Sequence, residues 1–171
     1  MKYGELAINR EKLERLIPCT ICFLLTAVLF GAQLFGGYAP FALGLIAAAG
    51  SGRRGLSALL GGVLGALAFM SFSHALRALA VAVLLYTGSN AFCETKWYRS
   101  RFFLPALTAS MYLAVEFVYL LQSDTSQAAF CLLSIALAVF VAVCGRTALS
   151  GDQKDGEGRQ AAFLVLLIGV L

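Results

Sequence analysis

Charge is scarce in this chain. Asp, Glu, Lys and Arg make up 13% of its 171 residues, against about 25% in an ordinary soluble domain. Histidine occurs once, at His74, and proline three times. The sequence holds no nucleophile–histidine pair and no glycine-rich phosphate loop. The net charge of +4 comes without an aromatic-basic patch, because the cations sit in short stretches between apolar runs. That pattern argues against a nucleic-acid partner and for orientation in a bilayer. Nothing in the sequence supports catalysis.

Apolar residues are what the chain has in excess, at 60%. They fall in long runs: Ile17–Phe35, Gly55–Ser73, Phe102–Val115 and Ala128–Gly145 contain no charged residue. A helix needs about 20 mainly apolar residues to span a bilayer. The expected fold is therefore all-α, a polytopic helical membrane bundle. A cleaved leader is not expected, since the first run continues into further apolar segments without a small-x-small cleavage site. The last run, Ala161–Leu171, would cover roughly half of a ~30 Å hydrocarbon core. It reads as an incomplete seventh span, which leads us to expect a chain that is the front part of a longer one.

The stretch Ile17–Gly50 decides the topology. As one helix it would be about 51 Å long and would need a tilt near ~54°, beyond the usual range of about 0–40°. It also contains Gly36, Gly37 and Pro40. Paired glycines weaken a helix, whereas proline suits the first turn of a new one. A hairpin turning at Gly36, Gly37 and Pro40 is the expected solution. After a charged cytoplasmic head over 1–16, the spans are then 17–36, 38–50, 55–73, 75–92, 102–121, 127–145 and the incomplete 161–171. This arrangement puts every basic residue except Arg77 on the amino-terminal side, including Arg53 and Arg54 in a loop. A single crossing would divide them without useful bias. The positive-inside rule then sets the amino terminus in the cytoplasm of a multi-pass cell-membrane protein. The second arm, Tyr38–Gly50, is short enough that a re-entrant segment is the alternative.

Few residues invite a chemical reading. Glu116 is the one carboxylate well inside an expected span, and Tyr112 and Tyr119 share its helical face at i−4 and i+3. A carboxylate at mid-bilayer costs about 2.5–3.5 kcal/mol, so it should face protein or water. It is either a proton or cation site or, as we favour, a carboxyl group bonded to a neighbouring helix. His74 and Arg77 fall in a short connection between spans, where a polar turn explains them as well as an anion site does. Cys19 and Cys22 form C-x-x-C, but zinc needs four ligands and His74 lies at the opposite side. With Cys93, Cys131 and Cys144 they read as buried, reduced residues. No metal or cofactor is expected in this chain. The loop Asp152–Gly158 lacks the carboxylates of a calcium site. Two small-residue stripes, Ser57/Gly61/Gly65 and Ala58/Gly62/Ala66, should pack closely against another helix, with an internal partner favoured over self-association.

The order of these elements resembles a known family. Phe30-Gly-Ala-Gln-Leu-Phe-Gly36 closes the first helix and Tyr38-Ala-Pro-Phe-Ala42 opens a short second one. Arg53-Arg54 and the glycine-rich Ala58-Leu-Leu-Gly-Gly-Val-Leu-Gly-Ala66 follow. Over residues 10–70 this is similar to the amino-terminal membrane domain of stage II sporulation protein E of endospore-forming Firmicutes. The resemblance implies about ten spans in the full protein, a cytoplasmic regulatory region and a manganese-dependent serine phosphatase that activates a sigma factor at the division septum. Manganese would belong to that missing phosphatase domain, whose metal-binding aspartates have no matching positions here. The implied role is membrane anchoring and assembly, with the lipid bilayer, division-septum proteins or further copies of the chain as partners. The rival expectation is a small multi-span transport component, such as the substrate-binding membrane subunit of an energy-coupled importer. A transporter should show several polar groups converging at mid-depth.

Overall fold

Uncharged runs rich in Leu, Ala and Phe can satisfy their backbone polar groups only within themselves, which favours helix. The computed structural model describes residues 2–32, 40–100, 102–122 and 125–149. Among them are six α-helices, no strand and a single 3₁₀ turn over Lys96–Arg99. The helices are α1 (Lys2–Leu29), α2 (Pro40–Ala49), α3 (Gly52–Phe69), α4 (Phe72–Phe92), α5 (Phe103–Gln122) and α6 (Thr125–Leu149). Two of them, over Phe72–Phe92 and Ala128–Thr147, are long and apolar enough to cross a membrane.

Several boundaries differ from expectation. The charged head is not separate from the first apolar segment, because α1 begins at Lys2 and continues through Pro18. It stops at Leu29 instead of reaching residue 36. There the chain tightens, with the Gly31 and Ala32 amides donating to the carbonyls of Val28 and Leu29 at 2.9 and 3.2 Å. Pro40 is the first residue of α2, where its missing N–H removes no intrahelical bond. Gly36 and Gly37, the remainder of the expected turn, lie outside the described residues, as do the 152–158 loop and the 161–171 run. Arg53 and Arg54 are not in a loop but in the first turn of α3. His74 and Arg77 likewise belong to α4, because Met70 and Ser71 alone connect α3 to it.

The core is built around α2. Its residues from Pro40 to Ala48 are buried on every side, as an all-apolar helix without a polar face requires. The other helices pack around it. A β-carbon added at Gly44 would collide with the Ala138 carbonyl and Val141 of α6, so α2 and α6 touch almost backbone to backbone.

Helices α1 and α3 lie side by side. At Gly61 an added β-carbon would strike the Phe23 carbonyl and at Gly65 the Ala27 carbonyl, while at Gly31 it would rest in ordinary contact with the Phe69 ring. The pairs 23–61, 27–65 and 31–69 are each 38 residues apart. A constant offset means that the two helices run parallel, so the chain doubles back between them. By the same offset, Arg53 stands level with position 15 and at the end of the bundle opposite Phe69.

The outer surface is apolar in register with the helices. On α3, Leu56, Leu60, Leu64 and Leu67 are exposed at intervals of four, four and three residues. On α1 Ile17, Ile21, Leu24 and Val28 are exposed at intervals of four, three and four, and on α5 Leu113, Phe117 and Leu121 at intervals of four. These stripes face away from the core, each covering one side of its helix.

Candidate functional site

Glu116 lies on the inner face of α5 with 3% of its surface exposed, and Tyr112, one turn earlier, is fully buried. Tyr119 is in α5 at the next turn, but its side chain lies outside the described residues. Across the interface, the Cys131 thiol of α6 donates to Glu116 Oε2 at 3.9 Å. The structure therefore sets the carboxyl group between two packed helices. A thiol is a weak donor.

The other buried hydroxyls nearby do not converge on Glu116. Thr108 donates to Leu104 O at 2.8 Å and Ser134 to Phe130 O at 2.9 Å, each within its own helix. Thr26, also fully buried, bonds to Cys22 O at 2.6 Å. Hydroxyls bonded four residues back are satisfied by their helix and are not presented to a ligand. No group of three His, Cys, Asp or Glu side chains is placed to hold a metal among the described residues. Glu116, Tyr112 and Cys131 form a short polar seam between α5 and α6.

A second cluster gathers at the end of the bundle where α3 begins and α6 finishes. Arg54 Nη1 donates to Leu149 O at 3.3 Å. Arg146 Nη2 donates to Tyr98 O at 2.7 Å, and its guanidinium stands 4.8 Å from the Tyr98 ring centre. The Gly52 amide donates to Asn90 Oδ1 at 3.4 Å, tying α3 to α4. Tyr98 packs on Phe103 with ring centres 5.6 Å apart, and Phe103 meets Phe92 edge-on at 5.5 Å. Five elements are thus clasped together by two arginines, an asparagine and an aromatic row. Both arginines act at the carboxy-terminal end of α6, Arg54 on its last carbonyl and Arg146 from its last turn, where positive charge is favoured.

His74 and Arg77 are at the opposite end. Ser71 Oγ and His74 Nδ1 are 2.6 Å apart, and Arg77 Nε donates to Ser73 O at 3.5 Å. Both contacts tie these residues to the start of their own helix, α4. Cys22 is buried, and Cys19, Cys131 and Cys144 are half-buried. Cys93, expected to be buried, is exposed in the turn after α4.

The small residues of α3 divide into three roles. Gly61 and Gly65 admit the backbone of α1. Gly62 lies beneath the Phe30 ring and Ile46 of α2, with Ala58 and Ala66 fully buried. Ser57 bonds to Arg54 O at 2.9 Å, within α3. Two further close approaches had no signal in the stripes: Gly55 against the Gly50 carbonyl, and Gly44 against α6. Gly55 meets the turn that precedes its own helix, whereas only the assembled bundle shows what Gly44 faces.

No protein-family model, curated protein or solved structure matches the chain. The likeness to the sporulation protein rests on the residues quoted for it.

Proposed function

We propose that this chain is a multi-pass membrane domain that holds and assembles an attached cytoplasmic protein. The observation that carries the proposal is the set of apolar stripes turned outward on α1, α3 and α5, around a helix buried on all sides. Water would disfavour each of these exposed side chains by about 1.5–3 kcal/mol relative to burial, whereas lipid would accept them. In this reading all six helices traverse or return within the bilayer, and the amino terminus is cytoplasmic. Support for the orientation comes from the parallel run of α1 and α3, which brings Arg53 and Arg54 to the amino-terminal side with Lys96 and Arg146.

The resemblance to stage II sporulation protein E supplies the attached partner in this proposal, a serine phosphatase held at the division septum. The rival transport reading has one observation in its favour, the buried Glu116. Against it, the neighbouring hydroxyls are bonded within their own helices and do not form a shared pocket.

The test is to fuse the chain to a fluorescent protein in an endospore-forming bacterium. A carbonate-resistant membrane signal that concentrates at the asymmetric septum is expected. An even membrane signal would contradict the septal role, and a soluble one would contradict the membrane reading.

A further inference from the structure

Arg53 and Arg54 are neighbours in sequence with different surroundings. Arg54 reaches inward to the last carbonyl of α6. Arg53 is exposed, and no hydrogen bond or ion pair joins it to any residue whose side chain is described. Spacing sets it apart further. Positions 53, 56, 60, 64 and 67 follow one another at helical intervals, so Arg53 crowns the exposed leucine stripe of α3. The first turn of α3 contains no acidic residue, and the positive end of the helix dipole disfavours a cation there. Around the same end stand Arg146, Lys96 and the exposed Glu94, the latter two in the connection after α4. Among the side chains described, positive charge therefore exceeds negative at this end of the bundle.

We propose that this face holds an anionic phospholipid, with the Arg53 guanidinium on the headgroup phosphate and an acyl chain along Leu56, Leu60 and Leu64. The inference rests on the membrane reading above. Guanidinium and phosphate match in charge and in paired hydrogen-bond geometry. The stripe from Leu56 to Leu67 rises about 16 Å, the length over which an acyl chain runs from its headgroup to the middle of a bilayer ~30 Å thick. Leu24 of α1, exposed beside the α1–α3 seam, adds a second apolar wall. Arg54, turned into the clasp, is left to hold the bundle together.

The experiment uses the full chain in vesicles of phosphatidylcholine with or without phosphatidylglycerol. Native mass spectrometry after gentle extraction counts the lipids that stay bound. The native protein is expected to retain phosphatidylglycerol in preference to phosphatidylcholine. Arg53→Gln should lower that preference about fivefold, the equivalent of ~1 kcal/mol for one basic residue at a charged surface, with an unchanged melting midpoint. Arg54→Gln should lower the midpoint and keep the preference. Inorganic phosphate should not displace the lipid. Equal retention of both lipids by an inserted native protein, or an unaltered preference in Arg53→Gln, overturns the lipid site. Displacement by phosphate would assign Arg53 to a soluble anion instead. A chain that fails to insert into vesicles of either composition contradicts the membrane reading itself.

Discussion

Gly61 and Gly65 show how much a single hydrogen can determine. Each sits where α1 presents a backbone carbonyl, so any side chain must push two helices apart. Gly61→Leu should therefore destabilise the bundle by about 1–3 kcal/mol, the usual range for overpacking a close contact. A lowered thermal midpoint in detergent would show it. Gly52 differs in kind, since open space surrounds it but its φ of 80° suits no other residue well. Gly52→Ala should cost about 1 kcal/mol through backbone strain alone. Glu116 is the residue at which chemistry and packing compete. Glu116→Gln preserves size and polarity between α5 and α6 and should change stability by less than ~1 kcal/mol. A large loss of stability would point to a carboxylate whose charge is needed, and with it to an ion site.

At the level of helices, the clasp at the end of α3 and α6 makes a separate prediction. Arg146→Ala removes both the bond to Tyr98 O and the contact with its ring. A charged hydrogen bond contributes about 1.5–3 kcal/mol. The loss should appear as faster amide exchange at the ends of α4 and α6. Uncharged runs made the helices legible in the sequence, and Pro40 marked the start of α2. The phase of each helix was much less legible. Hydropathy separates inside from outside only when the two faces differ, and here outward-facing leucines and core leucines look alike. Past Arg53, Arg54 and Ser57 the α3 sequence is as apolar as that of α2, yet α2 is buried all round while α3 exposes a full stripe. Helix ends were misplaced for the same reason. Arg53 and His74 signalled loops by their charge, although each occupies the first helical turn.

For the molecule as a whole, the parallel packing of α1 with α3 is the decisive feature. It requires a return path between them, and α2 lies on that path at the centre of the bundle. Among the candidate residues, the sequence singled out Glu116 and the glycines of α3. It offered no sign that Arg146, Tyr98, Asn90 and Leu149 would meet, because these positions are far apart in the chain and become neighbours only when α4 and α6 end at the same level. The central claim is that this clasped end faces the cytoplasm. A charged, membrane-impermeant thiol reagent tests it directly on intact cells, with Ser51→Cys and Ser73→Cys as probes of the two ends. Cys93, naturally exposed beside the clasp, serves as an internal control. Labelling of position 73 from outside is predicted, with position 51 and Cys93 reacting only after the cells are opened. Labelling of position 51 in intact cells would contradict the account.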